Sequence, residues 1–187
     1  MDINFSVFIA TSLDGYIARP NGKLDWLENA AIKDDPEDYG YQRFMAGVNC
    51  VVMGRKTFER IARYSEWPYK GKQVVVLSRS LKSPPADFVD KIDVFNRPVE
   101  LLAVELQHHN VRKVYVDGGA TIQAFLAAGL IDELIITQIP VLIGRGVKLF
   151  GDLPEDVNLK LIQSQSYSSG FVQSHYRVQR RTKNAQD

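Results

Sequence analysis

Three short stretches set cations, hydroxyls and glycines where the chain passes from an apolar run toward a polar or helical segment. Met53-Gly54-Arg55-Lys56-Thr57 supplies a glycine, two cations and a hydroxyl, and Leu77-Ser78-Arg79-Ser80 sets a cation between two hydroxyls. Asp117-Gly118-Gly119-Ala120-Thr121 offers backbone N–H groups after a paired glycine. Junctions of this kind bind anions, because free N–H groups and the positive end of a helix dipole point outward there. A single phosphate needs only one of them. Three suit a ligand with spaced charges, such as a dinucleotide carrying an additional phosphate. Gly118-Gly119 would seat the pyrophosphate, and Arg55, Ser78 and Arg79 a ribose phosphate. Taken singly, each stretch reads equally well as structure: a glycine for a tight turn, an arginine for solvent.

Other chemistries lack their residues. G-x-G-x-x-G and G-x-x-x-x-G-K-[ST] do not occur, which argues against an ordinary Rossmann dehydrogenase and a P-loop hydrolase. G-x-S-x-G is also missing. His108, His109 and His175 are not spaced as metal ligands, and Cys50 is the sole cysteine, so no metal site is expected. An inert, buried thiol and a cytoplasmic protein fit that cysteine count. The 187 residues carry a net charge of +1, which gives no electrostatic case for nucleic acid or an anionic membrane. No apolar run approaches the roughly 20 residues a membrane span requires.

The elements that must hold these junctions follow from hydrophobic patterning. NFSVFIAT (4–11), CVVMG (50–54), QVVVLS (73–78), KIDVFN (91–96) and KVYVDGG (113–119) read as strands or strand–turn units, several apolar enough for burial on both faces. EDYGYQRFMAG (37–47), RKTFERIA (55–62), RPVELLAVELQHH (97–109) and TIQAFLAAGL (121–130) read as helices. SLDGYIARPNGKLDWL (12–27) is turn-like. ELIITQIPVLIG (133–144) reads as a long strand whose Pro140 implies an edge, a bulge or a bend. The last segment alternates and breaks at Ser168-Ser169-Gly170, as a hairpin would. One α/β domain over 1–180 is expected, with a mixed, mostly parallel sheet flanked by helices and a polar tail at 181–187.

In this order, SLDGYIA (12–18), VVMGRKTFE (51–59), VVVLSRS (74–80) and VYVDGGATIQAFLAAGLIDELIITQIPVLIGRGVKLF (114–150) resemble the dihydrofolate reductase superfamily. The likeness is greatest to the reductase domain of the bifunctional riboflavin-biosynthesis deaminase–reductase and its free-standing bacterial relatives. The resemblance implies a three-layer dihydrofolate reductase-like fold and NADPH as hydride donor. Ala10 and Ile17 would line the nicotinamide pocket. Gly54, Arg55, Lys56 and Thr57 would hold phosphates and the adenosine side, Ser78 and Arg79 the 2′-phosphate, and Gly118, Gly119, Ala120 and Thr121 the pyrophosphate.

On the substrate side the resemblance implies Trp26, the acid Asp38 and Thr137, whose hydroxyl would hydrogen-bond that acid in catalysis; Asp117 itself reads either as reaching toward the substrate or as holding its turn. Asp38 or Asp14, with an ordered water, is the expected proton source; Asp38 reads equally as a helix-start acid. Tyr16 stands where these reductases often carry a cation, and Asp117 where they usually carry glutamate. No deaminase signature H-x-E…P-C-x-x-C is present. The expected activity is reduction of a pyrimidine- or pterin-type C=N bond, with the riboflavin-pathway aminouracil reductase as the named candidate. Dihydrofolate reduction proper and a non-catalytic NADPH-binding module are the alternatives. Relatives pair, so a homodimer is also expected, with strand 133–144 offering an edge.

Overall fold

The computed structural model describes residues 3–30 and 37–180. Ten strands and five α-helices follow in order: β1 (Asn4–Ser12), β2 (Tyr16–Ala18), α1 (Asp25–Ala30), α2 (Tyr41–Ala46), β3 (Cys50–Gly54), α3 (Arg55–Ile61), β4 (Gln73–Leu77), β5 (Asp93–Phe95), α4 (Val99–His108), β6 (Lys113–Asp117), α5 (Gly119–Ala127), β7 (Glu133–Ile139), β8 (Val147–Lys148), β9 (Leu159–Ser166) and β10 (Val172–Val178). Eight strands form one sheet in the order β5-β4-β3-β6-β1-β7-β10-β9. The first six of these pair in parallel, while β10 runs antiparallel to β7 and β9 antiparallel to β10. β2 and β8 form a separate two-stranded ribbon.

The apolar runs are buried on both faces because consecutive side chains leave the pleat in opposite directions. Cys50, Val52, Val114 and Val116 enter one core with Leu106 of α4 and Ile122 and Phe125 of α5. Val51, Met53 and Tyr115 enter the other with Phe44 of α2 and Phe58 of α3. A third, smaller cluster joins Trp26 of α1 to Ile139 and Phe171.

The expectations differ from the structure in four places. The helix expected over 37–47 begins only at Tyr41, since Tyr39 (φ 55°) and Gly40 (φ 82°) both adopt left-handed backbone. Asp38 closes that turn, accepting N–H bonds from Gly40 and Gln42 at 2.9 Å each. KIDVFN contracts to Asp93–Phe95. The stretch read as turn-like (12–27) contains β2 and the start of α1, which runs on to Ala30 with Trp26 as its buried side chain; both are too short for periodicity to register. Finally, β7 is not an edge: it lies between β1 and β10 and ends at Ile139, so Pro140 falls beyond the ladder and removes no strand donor.

Candidate active site

Parallel pairing carries the ends of β3, β4 and β6 to one rim of the sheet, Gly54 beside Leu77 and Met53 beside Asp117. Two of the three junctions interlock there. Gly118 has φ 90° and ψ 136°, a backbone open to glycine and strained for any L side chain. A Cβ on Gly118 would lie 2.5 Å from Thr57 Oγ1, and one on Gly54 3.1 Å from Thr121 Oγ1. Each glycine therefore admits the other turn's threonine, and a Cβ at either position would press on that hydroxyl. Gly119 is packed under the ribbon, where a Cβ would meet Ile17 Cδ1 and Val147 Cγ1 at 3.1 Å and Lys148 O at 3.2 Å. So the paired glycines are a steric necessity of the turn, and the turn is also the place where Ile17 reaches the start of α5.

The cationic side of the rim is more open. Lys56 and Arg79 are exposed. Arg55 pairs with Glu59 one turn along α3 at 2.5 Å, and both side chains are accessible to solvent, so this pair contributes little to stability. Ser78 accepts an N–H bond from Leu81 at 2.8 Å and thereby fixes the turn that presents Arg79.

A second group surrounds the ends of β1 and β7. Ala10 faces Thr137 in register. Trp26 is 3% exposed and its Nε1 has no hydrogen-bond partner among the described residues. Thr137 Oγ1 does not meet Asp38; it accepts instead from Gln173 Nε2 at 2.9 Å, and the same amide nitrogen donates to the Tyr39 carbonyl at 2.9 Å. Tyr39 stacks on Phe171, with ring centres 5.2 Å apart. Gln173 was missed by sequence reasoning, since a glutamine in an alternating strand announces nothing about a threonine 36 residues earlier.

The three acids occupy different electrostatic settings. Asp14 is held below the usual carboxylate range by the Ser12 hydroxyl and by the amides of Gly144 and Ile143, which donate to it at 2.7 and 3.2 Å. It pins the 143–144 loop. Asp38 is lowered by the Gln42 and Gly40 amides that it caps. Asp117 is shifted the other way: burial raises it, against the opposing pull of Arg60, the Gly118 amide at 2.8 Å and the Tyr115 phenol. Burial also pushes the neighbouring Tyr41, Tyr69 and Tyr115 phenols up, and the Asp117 charge adds to each. Of the three, Asp117 is the carboxyl whose surroundings favour its protonated form.

Among the described residues, no group of three or more His, Cys, Asp or Glu side chains could hold a metal ion. Nor, among those residues, is any helix long and apolar enough to cross a membrane.

A mostly parallel sheet with helices on both faces, a terminal antiparallel hairpin and glycine-cradled turns at the strand ends define a dihydrofolate reductase-like domain. Residues 5–173 match the model of the RibD C-terminal domain, and the chain belongs to that family, an oxidoreductase family. It is 39% identical to a Shewanella sp. PV-4 protein assigned provisionally to riboflavin biosynthesis, whose crystal structure superposes with a TM-score of 0.87 over 95% of this chain and 100% of that one. Bacillus subtilis YwjB is 32% identical over 173 residues, covering 91% of this chain and 95% of YwjB. The dihydrofolate reductase HdrB of Haloferax volcanii is 34% identical over 130 residues, 67% of this chain and 62% of HdrB.

Proposed function

We propose that the protein is an NADPH-dependent reductase of a pyrimidine-type heterocycle, of the kind that reduces 5-amino-6-(5-phosphoribosylamino)uracil in riboflavin biosynthesis. Family membership and the 39% identical Shewanella protein support this assignment. The observation that carries it is the interlocked pair of turns at Gly54 and Gly118, with a half-buried carboxyl, Asp117, ending the strand beside them.

The residues fit the cofactor. Gly54, Thr57, Gly118, Gly119, Ala120 and Thr121 form the cradle for the pyrophosphate, where α5 presents free N–H groups. Ser78 and Arg79, with Arg55 and Lys56, serve the 2′-phosphate. Ala10 and Ile17 wall the nicotinamide side. When bound, NADPH supplies the hydride, and the protein contributes orientation and electrostatics.

Trp26 and Thr137 bound the substrate side, with Gln173 setting the Thr137 hydroxyl. A hydride delivered to the carbon of a C=N bond leaves the nitrogen to take a proton. Asp14 and Asp38 are poor sources, because their hydrogen bonds hold them ionised. We assign the proton to Asp117, directly or through a water.

Nicotinamide absorbance is to be followed with purified protein, NADPH and either the aminouracil ribosylamine or dihydrofolate. Oxidation with the ribosylamine is expected. Turnover of dihydrofolate alone would move the activity to the reading that HdrB favours. Tight NADPH binding with no oxidation by either would leave a non-catalytic module. Arg79→Ala is expected to weaken NADPH by about tenfold, the scale of a charge-assisted phosphate contact, while leaving NADH within about twofold. Equal losses for both cofactors would remove Arg79 from the 2′-phosphate site.

A further inference from the structure

Ala10, Thr137 and Gln173 stand side by side in register across β1, β7 and β10, so their side chains share one face of the sheet. Ala10 packs there against the cluster of Trp26, Ile139 and Phe171. Thr137 is as buried as Trp26, and the two bring an O–H and an N–H to this face.

Gln173 decides which way the Thr137 hydroxyl can act. Its Nε2 lies 2.9 Å from both the Tyr39 carbonyl and Thr137 Oγ1. A backbone carbonyl only accepts, so the amide must turn its nitrogen toward Tyr39, and both N–H groups are then engaged. Its Oε1 accepts from the Tyr167 phenol at 3.4 Å. Tyr39 holds its carbonyl there from a left-handed backbone (φ 55°), a strained setting for a tyrosine, with its ring stacked on Phe171. Thr137 is therefore the acceptor toward Gln173, and its own proton meets no acceptor among the described residues. Trp26 Nε1 is a second donor without an acceptor among those residues.

No carboxylate offsets these donors. Asp38 accepts from the Gly40 amide through Oδ1 and from the Gln42 amide through Oδ2. A ligand that brings two acceptors satisfies the face, whereas a ring amino group sets donor against donor. A pyrimidinedione carries two ring carbonyls. The aminopyrimidinone ring of a pterin has an amino group in place of one of them.

We propose that Gln173 is a specificity-determining residue: by fixing Thr137 as a donor, it selects a pyrimidinedione over an aminopyrimidinone. The inference rests on the reading of this face as the seat of the heterocycle, and adds which ring edge is accepted.

Ligand-observed NMR titration of the full chain, without cofactor, tests it with diaminouracil and the corresponding triaminopyrimidinone. These rings differ only by a carbonyl against an amino group. Wild-type protein is expected to bind diaminouracil at least about tenfold more tightly. Gln173→Leu frees the Thr137 hydroxyl to turn, so the triaminopyrimidinone should gain affinity and the two rings should come within about threefold. A merely structural role for Gln173 would weaken both rings alike. Thr137→Val should erase the preference by weakening diaminouracil, and Thr137→Ser, which keeps the hydroxyl, should retain it. Wild-type binding of neither ring, or of both within about twofold, overturns the proposal. So does a preference that Gln173→Leu leaves intact, or a loss shared equally by both rings. The preference without oxidation of NADPH by the ribosylamine would strike the reductase assignment and leave this inference standing; oxidation without the preference would do the reverse.

Discussion

Asp117→Asn is expected to lower turnover by about 10²- to 10⁴-fold, the usual contribution of a positioned acid, while leaving NADPH affinity within about threefold. Asparagine keeps an oxygen for the Gly118 N–H, which donates to Asp117 Oδ1 at 2.8 Å, so the turn itself should survive. What it lacks is the proton. In the wild-type enzyme, kcat/KM should fall as pH rises through the raised pKa of Asp117, and that limb should vanish from the residual activity of the variant.

Stability should respond with the same sign. Burial raises the Asp117 pKa in the folded state, so the folded protein holds a proton that the unfolded chain releases at lower pH. Its contribution is fully present below the ordinary carboxylate pKa and is lost as pH rises through the folded value. Asp117→Asn removes this loss, and its melting temperature at neutral pH should equal or exceed that of wild type. An inactive variant that also melts well below wild type at neutral pH would show Asp117 to be a structural group. Full activity would return the acid role to Asp14 or Asp38.

Gly146→Ala should have the largest effect of any single methyl group in the chain. A Cβ at Gly146 would lie 2.1 Å from the carbonyl oxygen of Ala18, a backbone atom that cannot rotate away. Ala18 pairs with Val147 in the β2–β8 ribbon, and the adjacent Ile17 packs on Gly119 at the start of α5. Relieving the overlap requires the ribbon to part, at a cost of about 1–3 kcal/mol. Because the ribbon covers the cradle, NADPH affinity should fall at least tenfold along with the melting temperature.

Gly71→Ala is the control for Gly146→Ala. Gly71 has φ 75° with open space around its missing Cβ, so alanine there should cost about 1 kcal/mol in strain and leave NADPH binding unchanged. Wild-type NADPH affinity in Gly146→Ala would detach the ribbon from the cofactor site.

The parts of this molecule legible in the sequence are those encoded by neighbours in the chain. CVVMG and KVYVD read as doubly buried strands because several apolar residues in succession can be satisfied only by cores on both faces. The glycines at Gly54 and Gly118 mark strand-to-helix turns, and the hairpin at Ser168-Ser169-Gly170 follows from local turn chemistry. Motif order added the family, which the match over residues 5–173 establishes.

Tertiary structure alone decided how the three acids differ. Asp14, Asp38 and Asp117 are the same residue type beside a glycine or a helix start. Yet Asp14 is pinned by amides 129 and 130 residues away, and Asp38 is engaged by its own helix. Asp117 is half-buried at the end of β6, where desolvation outweighs the pull of Arg60 from α3. Sequence distance hides the Gln173–Thr137 bond in the same way, and strand order decided that β7 is central and β9 is the exposed edge. Charge state and exposure depend on what packs against a side chain. Local pattern specifies an element and its buried face, but not the distant groups that will stand opposite it.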